Sequence, residues 1–307
     1  MNLLDENLNP LILDIKRHVL EDGPGIRTTV FFKGCNLHCP WCHNPDAIDP
    51  ALEIAFYPRD CIGCGDCVEA CPTGACRLED QVLIDREVCS RCGDCAGVCP
   101  SQALRLMGRH YEVGELLEII LRDRMFYAVS GGGVTLSGGE PTLFLDYCRA
   151  ILGHLKELGL HTVLQTNGMF VWSEFRERVL PLADLVMIDL KVADGERHRE
   201  YTGQDNALVW TNLEALIREK PLAVVPRIPL IPGFTATREN LEALSRRLRE
   251  LGVRKCVLLP YNPTWSHKAA SIGKPIDARL SPHLMTPFAL AVCREIFSWT
   301  ENSANNL

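Results

Sequence analysis

Three cysteines lie close together in a short loop near the start of the chain. Cys35, Cys39 and Cys42 follow the spacing C-x3-C-x2-C, with Trp41 directly before the last of them. Three thiolates hold three corners of a four-iron cube and leave the fourth iron open. An open coordination position is typical of a catalytic metal site. The loop therefore predicts a catalytic [4Fe–4S] cluster. The alternative is a closed cube whose fourth thiolate comes from Cys76, Cys148 or Cys256.

A second set of cysteines forms an internal repeat. The run from Cys61 to Pro72 spells C-x2-C-x2-C-x3-C-P, and the run from Cys89 to Pro100 repeats it. Such runs bind two [4Fe–4S] clusters in bacterial ferredoxins, where the last Cys of each run binds the other cluster. One predicted ligand set is Cys61, Cys64, Cys67 and Cys99. The other is Cys71, Cys89, Cys92 and Cys95. Structural zinc is the alternative, although zinc prefers two separated pairs of ligands.

Composition limits the class of protein. The chain has 307 residues, 47% of them hydrophobic, which is enough for a sizeable core. It carries 15 Cys, which a reducing compartment uses for metal more often than for disulfides. Four lie outside the motifs and are predicted to be small buried hydrophobes: Cys76, Cys148, Cys256 and Cys293.

The charge and the N-terminus exclude other classes. A net charge of -7 argues against binding nucleic acid through a basic surface. No apolar run approaches the roughly 20 residues that span a membrane, and residues 1–10 lack a signal-peptide pattern. We therefore expect a cytoplasmic protein that acts on neither nucleic acid nor membranes.

Alternating strands and helices surround these motifs. Apolar runs bounded by Gly, Pro or Asn predict strands at 28–32, 132–137, 161–166, 184–190, 222–229 and 255–260. Amphipathic periodicity predicts helices at 113–124, 143–158, 207–219 and 237–251. About six βα units imply an α/β fold with a parallel sheet and the chemistry at the carboxyl ends of its strands. Periodicity leaves an open sheet and a partial barrel equally possible. Residues 51–108, here called the cysteine-rich segment, interrupt the pattern as a predicted insert.

The three-cysteine loop resembles that of the radical S-adenosylmethionine superfamily. One unit further along, Ser137-Gly138-Gly139-Glu140-Pro141 ends a predicted strand and looks like that superfamily's GGE segment. The resemblance implies that the methionine part of S-adenosylmethionine chelates the open iron and is cleaved reductively to a 5′-deoxyadenosyl radical. It implies that Gly138, Gly139 and Glu140 hold the methionine amino group. It also implies a partial (β/α)6 TIM-like barrel over 1–50 and 109–307, with 51–108 as a ferredoxin-like two-cluster domain.

A narrower resemblance is to glycyl-radical-enzyme activating enzymes, the branch with a two-cluster insert. It rests on these segments: Asp22-Gly-Pro-Gly-Ile-Arg27, Phe31-Phe-Lys-Gly-Cys35, Gln165-Thr166-Asn167-Gly168, Met187-Ile-Asp189-Leu-Lys191, Arg227 before Pro229-Leu-Ile-Pro-Gly233, and Leu259-Pro260-Tyr261-Asn262. The resemblance implies an oxygen-sensitive oxidoreductase that removes hydrogen from a backbone glycine of a partner enzyme.

Residue roles follow from the same resemblance. The catalytic set is Cys35, Cys39, Cys42 and Lys191. Lys191 and Arg227 suit a carboxylate, and Trp41 suits adenine. Further cofactor-binding residues are Thr166, Asn167, Asp189 and Asn262. The segment containing Asp22, Gly23, Gly25 and Arg27 would contact the partner's glycine loop.

The sequence leaves several points open. The family's monovalent-cation site would use Asp189, the Met187 carbonyl and Thr166, but Gln165 stands where some relatives have Asp. Flavodoxin or ferredoxin would supply the electron, and the two further clusters would relay it or serve a structural role. The alternatives are a radical enzyme that modifies a small molecule or peptide, and a ferredoxin-like electron carrier.

Overall fold

The computed structural model describes residues 9–79 and 82–300. Residues 1–8, 80–81 and 301–307 lie outside these ranges. The expectation of a cytoplasmic protein rests partly on residues 1–8. The strands are β1 Leu11–Val19, β2 Arg27–Phe32, β3 Glu53–Phe56, β4 Cys76–Leu78, β5 Val82–Ile84, β6 Leu104–Met107, β7 Arg109–His110, β8 Gly133–Gly138, β9 His161–Thr166, β10 Leu185–Asp189, β11 Val224–Leu230 and β12 Val257–Pro260. The helices are α1 Asp66–Glu69, α2 Asp94–Gly97, α3 Val113–Leu121, α4 Arg124–Ser130, α5 Leu145–Glu157, α6 Trp172–Arg178, α7 Gly195–Thr202, α8 Ala207–Glu219, α9 Arg238–Glu250, α10 Trp265–Ser271 and α11 Pro287–Ile296. Four short 3-10 turns cover Pro45–Ala47, Pro58–Asp60, Pro141–Phe144 and Leu180–Leu182.

The main sheet has eight strands in the order β12-β11-β10-β9-β8-β2-β1-β7. The six strands from β2 to β12 pair in parallel, which confirms the predicted α/β fold with a parallel sheet. At one edge, β1 pairs antiparallel with β2, and β7 pairs antiparallel with β1. The sequence interpretation missed both of these strands.

The two faces of the parallel strands differ. Alternate residues, such as Val30, Leu136, Leu164 and Ile188, are fully buried in the core that the helices cover. Residues between them include Ser137, Gln165, Asp189 and Arg227, which line a cavity on the other side. Because side chains alternate along a strand, each strand contributes to the core with one set and to the cavity with the other.

The first predicted helix, 113–124, extends three residues beyond the end of α3 at Leu121. The chain forms α3 and then α4, with Asp123 between them. The fully buried carboxylate of Asp123 accepts hydrogen bonds from Arg17 Nε at 2.8 Å and from Thr28 Oγ1 at 2.8 Å. These tertiary contacts hold Asp123 at the junction, a position that helical periodicity along the sequence does not reveal.

The cysteine-rich segment forms small elements outside the main sheet. β3 and β6 pair antiparallel, from Glu53 against Met107 to Phe56 against Leu104. β4 pairs antiparallel with β5. A separate apolar cluster within the segment includes Ile54, Cys67, Cys95 and Leu104. The chain thus leaves and rejoins the main sheet through two adjacent strands.

One buried and one partly buried contact join this segment to the rest of the molecule. The Lys33 ammonium, fully buried, lies 2.6 Å from Glu53 Oε2 and 2.6 Å from the Asp46 carbonyl. Arg86 donates to the Ile54 carbonyl and, at 3.1 Å, to the Ser271 carbonyl. Breaking a buried pair by removing one partner costs about 3–5 kcal/mol, so the Lys33–Glu53 pair fixes the base of the segment.

Within residues 9–79 and 82–300, every helix is too short or too polar to cross a membrane.

Candidate active site

The three-cysteine loop folds back against the carboxyl ends of the main strands. It follows β2 directly, and the N–H groups of Gly34 and Cys35 donate to the Ala47 and Ile48 carbonyls at 2.7 and 3.0 Å. Cys35, Cys39 and Cys42 all line one cavity of about 580 Å³. Of the cysteines that the structure describes, these three alone line it, whereas Cys148 and Cys256 lie in the core of the main sheet.

The same cavity collects most of the residues that the sequence singled out. They come from the six parallel strands and the loops after them, and from the loop between β1 and β2: Asp22, Trp41, Gly138, Gly139, Thr166, Asn167, Asp189, Lys191, Arg227 and Asn262. A volume of this size matches the pockets that hold cofactors in other proteins. The arrangement places thiols, cations and a carboxylate around one space.

Gly138 and Gly139 let the end of β8 approach the cysteine loop. The N–H groups of Gly139 and Glu140 donate to the carbonyls of Phe32 and Gly34 at 2.8 and 2.7 Å. A Cβ at Gly139 would lie 2.1 Å from the Gly34 oxygen, and Gly138 has a φ of +101°. Both positions therefore require glycine for steric reasons.

Glu140 lies behind the cavity wall and is fully buried. Its Oε1 accepts from Thr142 N, Thr142 Oγ1 and Thr166 Oγ1 at 3.1, 2.6 and 2.8 Å, and its Oε2 accepts from Asn167 N at 2.7 Å. Burial raises the pKa of Glu140 although these hydrogen bonds oppose the shift. In this arrangement Glu140 joins the end of β8 to the end of β9, and its contact with a methionine amino group stays a prediction.

Asn167 links the end of β9 to the cysteine loop. Its Nδ2 donates to Asn36 Oδ1 at 2.7 Å and lies 3.7 Å from Cys35 Sγ. Asn36 in turn donates to the Met169 carbonyl at 3.1 Å. Asn167 is thus a positioning residue for the first cysteine, a role that only the fold reveals.

Asp189, Lys191 and Arg227 form a charged group at the ends of β10 and β11. Lys191 Nζ lies 3.2 Å from Asp189 Oδ2, and Arg227 Nε lies 3.7 Å from Asp189 Oδ1. Asp189 Oδ1 is buried and has no hydrogen-bond partner among the described residues. Burial acts to lower the pKa of Lys191, but Asp189, Cys39 and Cys35 raise it overall. A raised pKa favours the charged form of Lys191 beside Cys39, and Asp189 Oδ1, which is ion-paired with Arg227 but accepts no hydrogen bond, has capacity to accept one from a ligand.

The segment from Asp22 to Arg27 divides between the cavity and the interior. Asp22 lines the cavity and accepts from Gln165 Nε2 and Thr29 Oγ1, each at 3.0 Å. Arg27 is fully buried and donates to Thr135 Oγ1 at 2.7 Å and to the Pro24 carbonyl at 2.9 Å. The structure thus places Asp22 where a bound molecule can reach it, whereas the Arg27 side chain is already occupied.

The monovalent-cation site predicted from the sequence involves the positions of Gln165 and Thr166. Gln165 Oε1 accepts from Ser137 Oγ at 2.6 Å, and Gln165 Nε2 is bound to Asp22. Thr166 Oγ1 donates to Glu140. Both side chains therefore have protein partners, and a cation here stays a prediction.

Trp41 and Asn262 lie on the wall near β12. Trp41 is 3% exposed and packs at 5.3 Å between ring centroids against Phe234. Asn262 lines the cavity, and its side-chain Oδ1 accepts a hydrogen bond from Thr264 N at 3.0 Å. Trp41 thus contributes to the apolar cluster beneath the loop as well as to the cavity surface.

Three residues that line the cavity were not predicted from the sequence. Lys16 on β1, His43, and Lys268 on α10 all line the cavity. Burial lowers the pKa of His43, and the nearby Lys268 and Arg227 add to this effect. His43 follows Cys42 directly and could have been suspected from that adjacency, but Lys16 and Lys268 have no distinguishing sequence context.

The division of the eight repeat cysteines into two ligand sets stays a prediction. Cys61, Cys64, Cys67 and Cys99 line one small pocket in the cysteine-rich segment. Cys71, Cys89 and Cys95 belong to the adjoining apolar cluster. All four cysteines outside the motifs are buried, as predicted. Among residues 9–79 and 82–300, no three His, Cys, Asp or Glu side chains converge on the position of a single metal ion.

The side chains present fit the cofactors that the sequence implied. Thiolates are the ligands of iron–sulfur clusters, and two groups of cysteines each line a pocket: Cys35, Cys39 and Cys42 in the main cavity, and Cys61, Cys64, Cys67 and Cys99 in the cysteine-rich segment. Next to the three-cysteine loop, Lys191 and Arg227 match a carboxylate, and Asp189 Oδ1, which accepts no hydrogen bond among the described residues, matches a polar or positively charged group. The cavity therefore fits a cluster together with an amino-acid-bearing cofactor such as S-adenosylmethionine.

Comparisons with known proteins agree with this chemistry. A family model described as a 4Fe-4S single cluster domain matches residues 21–210. The benzylsuccinate synthase activating enzyme of Thauera aromatica is 42% identical over 245 residues, covering 78% of this chain and 74% of that protein. The trans-4-hydroxy-L-proline dehydratase activating enzyme of Clostridioides difficile is 38% identical over 271 residues, covering 87% of this chain and 89% of that protein.

A solved structure supports the fold. A radical SAM methyltransferase from Sphaerobacter thermophilus superimposes with a TM-score of 0.53 at 15% identity, covering 95% of this chain and 75% of that one. At this identity the likeness concerns the fold alone, a mixed α/β fold with a parallel sheet. The sequence relatives, at 42% and 38% identity over most of the chain, establish that it belongs to the glycyl-radical-enzyme activating enzymes of the radical S-adenosylmethionine superfamily.

Proposed function

We propose that this protein cleaves S-adenosylmethionine in the cavity of the main sheet and removes a hydrogen atom from a backbone glycine of a glycyl radical enzyme. The observation that carries the proposal is the meeting of Cys35, Cys39 and Cys42 with Lys191 and Asp189 in one cavity. When bound, the cluster and S-adenosylmethionine supply a 5′-deoxyadenosyl radical, which is chemistry that no side chain can perform.

The side chains would hold and aim the cofactor. Lys191 and Arg227 would bind the methionine carboxylate, since Arg can grip a carboxylate through two parallel hydrogen bonds. Backbone groups of Gly138 and Gly139 would bind beside the methionine amino group. Trp41 and Asn262 would contact the adenosine part. Asp22, at the opposite wall, would contact the incoming glycine segment of the partner.

The main sheet would be a partial barrel. Strands in a flat sheet lie about 4.8 Å apart, so β2 and β12 would be separated by roughly 24 Å across five gaps. Phe31 on β2 and Leu259 on β12 nevertheless line the same cavity. This supports a curved sheet whose concave face surrounds the cofactor and whose carboxyl ends face the cluster.

The cysteine-rich segment would be a ferredoxin-like domain with two [4Fe–4S] clusters. Its paired β3 and β6, its own apolar cluster and its two groups of cysteines support this proposal. The total would be three clusters. Flavodoxin or ferredoxin would donate the electron.

One contact suggests which of the two clusters faces the active site. Arg91, between Cys89 and Cys92, pairs with Asp49 at 3.0 Å. Asp49 follows Ile48, whose carbonyl accepts from the Cys35 N–H. The second repeat therefore contacts the chain that supports the catalytic loop, although Cys64 and Cys92, the equivalent cysteines of the two repeats, are both exposed. An electron would enter at the first repeat and leave from the second.

The partner's identity needs experiment. Similar proteins activate benzylsuccinate synthase, a hydroxyproline dehydratase, isethionate sulfite-lyase and choline trimethylamine-lyase, at 35–42% identity. Such different partners at such similar identities do not select one for this chain. We propose a glycyl radical enzyme of this group as the class of partner.

The test is anaerobic reconstitution followed by three measurements. We expect about twelve irons per chain for three four-iron clusters. We expect 5′-deoxyadenosine to form from S-adenosylmethionine under reducing conditions. With the correct partner enzyme from a panel, an EPR doublet of a glycyl radical should appear. Formation of 5′-deoxyadenosine without a glycyl radical on any partner would indicate a small-molecule or peptide substrate instead. Absence of both would refute the proposed function.

A further inference from the structure

The two copies of the cysteine repeat differ at one buried position. After the last cysteine of each run, the chain reads Ala75-Cys76-Arg77-Leu78 in the first copy and Ala103-Leu104-Arg105-Leu106 in the second. Cys76 and Leu104 begin β4 and β6, and each is 2% exposed. The repeat thus has a thiol in one copy where the other copy has a purely apolar side chain.

The surroundings of these two residues otherwise correspond. The Cys76 N–H donates to Cys71 Sγ at 3.4 Å, and the Leu104 N–H donates to the Cys99 sulfur. The hydroxyls of Thr73 and Ser101, also equivalent in the repeat, lie 3.7 Å from the same two sulfurs. Backbone and hydroxyl donors are therefore matched, and the thiol of Cys76 is the difference between the two copies.

Each of the two side chains lies beside a different group of cysteines. Cys76 packs in one apolar cluster with Cys71 and Cys95, and its own N–H donates to the Cys71 sulfur, which places its thiol next to this group. Leu104 lines the pocket that Cys61, Cys64, Cys67 and Cys99 share. The two predicted clusters would thus meet a thiol in one case and a leucine in the other.

We propose that Cys76 is a positioning residue that donates its S–H to the sulfurs of the cluster held by Cys71, Cys89, Cys92 and Cys95, and so raises the reduction potential of that cluster above that of its counterpart. The inference rests on the proposed function, in which this segment holds two clusters. Reduction adds negative charge to a cluster, and hydrogen bonds to its sulfurs stabilise that charge. Leucine has no polar hydrogen to donate. Its apolar side chain instead reduces the access of water to the neighbouring cluster.

The consequence concerns the direction of electron flow. The cluster beside Cys76 includes Cys89 and Cys92, and Arg91 between them pairs with Asp49 next to the catalytic loop. The higher-potential cluster is therefore the one whose loop contacts the main sheet. An electron that enters at the first repeat would then move downhill towards the cluster whose loop contacts Asp49.

The test uses the reconstituted full-length protein and potentiometric titration followed by EPR. Cys76→Ala removes the donor, Cys76→Ser returns a donor of similar size, and Leu104→Cys adds a donor beside the other cluster. A Cys64→Ala background, which disrupts the other cluster, identifies the one that shifts.

The expected results differ between the variants. At the potential where the wild-type cluster is half reduced, Cys76→Ala should lower its reduced-to-oxidised ratio about tenfold, which is 59 mV for a one-electron couple. Cys76→Ser should stay near the wild-type midpoint. Leu104→Cys should raise the midpoint of the other cluster, and it tests the inference even where Cys76→Ala fails to fold.

Unchanged midpoints in Cys76→Ala and Leu104→Cys, with all clusters present, would overturn the inference. Loss of four irons from Cys76→Ala would also overturn it, because Cys76 would then be a ligand. A wild-type protein with about four irons that still cleaves S-adenosylmethionine would refute the two-cluster segment, and this inference with it, while the activating function would stand.

Discussion

The cavity of the main sheet and the cysteine-rich segment bring their reactive residues together in different ways. The cavity draws side chains from Lys16 to Lys268, across six parallel strands and one antiparallel strand. The cysteine-rich segment groups its eight motif cysteines between Cys61 and Cys99. A site built from neighbouring residues depends on local turns, whereas the cavity depends on the register of the whole sheet.

This difference predicts how each region responds to substitution. In the segment, the loss of one ligand should remove one cluster and leave the main sheet intact. In the cavity, a small shift of one strand end should disturb every group that meets there. Four substitutions test this comparison, beginning with the largest expected effect.

Cys39→Ala removes one of the three thiols in the cavity. We expect the loss of about four irons and of all cleavage of S-adenosylmethionine, since two thiolates do not hold the cube. The control is Cys64→Ala in the cysteine-rich segment, which should also lose iron but should keep cleavage with a chemical reductant. Iron analysis and 5′-deoxyadenosine quantification provide the comparison. Retained cleavage in Cys39→Ala would contradict the assignment of the catalytic cluster.

Gly139→Ala should move the end of β8 away from the cysteine loop. The new Cβ would lie 2.1 Å from the Gly34 oxygen, and such overpacking costs about 1–3 kcal/mol of unfolding free energy. Cleavage should fall about a hundredfold, because a displacement of about 1 Å can have that effect. Denaturant unfolding and rate measurements test both values.

The matched control is Gly153→Ala in the interior of α5, where a new Cβ has no neighbour within 4 Å. Alanine there should stabilise the protein by about 0.5–1 kcal/mol and leave cleavage unchanged. Equal behaviour of the two alanine variants would show that the contact between β8 and the cysteine loop is unimportant.

Lys191→Met removes a nearly buried cation beside Cys39 and Asp189. Hydrogen bonds to charged groups contribute about 1.5–3 kcal/mol, so affinity for S-adenosylmethionine should fall roughly ten- to a hundredfold. The iron content should stay at the wild-type value. Equilibrium binding measures the effect, with Lys156→Met as control, since Lys156 pairs with Asp184 on the surface. Wild-type affinity in Lys191→Met would remove Lys191 from the cofactor site.

Arg91→Gly should have the smallest effect on stability. Arg91 adopts a φ of +62°, and Gly63, its counterpart in the other repeat, has a φ of +71°. Glycine relieves the left-handed strain of about 1–2 kcal/mol but removes an exposed ion pair with Asp49 that contributes up to about 1 kcal/mol. The unfolding free energy should therefore change by no more than about 1 kcal/mol.

Asp49→Asn is the control for that pair, because it breaks the ion pair without changing the backbone. It should lower the unfolding free energy slightly, by less than about 1 kcal/mol. If Arg91→Gly is much more destabilising than Asp49→Asn, the two repeats are not equivalent at this position.

The sequence by itself determined the main elements of the fold, and it predicted the local groups of ligands. The strands predicted at 161–166 and 184–190 correspond to His161–Thr166 and Leu185–Asp189, and the helix at 207–219 matches Ala207–Glu219. The two strands are short apolar runs buried on both faces, and the helix has one buried face, so run length and apolar periodicity identify them. Cys61, Cys64, Cys67 and Cys99, one of the two predicted ligand sets, line one pocket, and their assignment to a single cluster stays a prediction.

The edge of the sheet was not predictable in this way. β1, with the sequence LILDIKRHV, is largely polar beyond its first residues and mostly exposed or half-buried. β7 has only two residues, Arg109 and His110, both exposed. Their pairing depends on the neighbouring strand that is already in place, and no apolar pattern marks them.

Only the tertiary structure decided which polar residues share the cavity. Lys16 and Lys268 have ordinary sequence neighbours, yet they line the same space as Cys35 and Asp189. It also buried Arg27 and placed Glu140 behind the cavity wall, where four hydrogen bonds hold it. The direction of a side chain depends on strand register and on loop packing between residues far apart in the chain, and neither is encoded in local spacing.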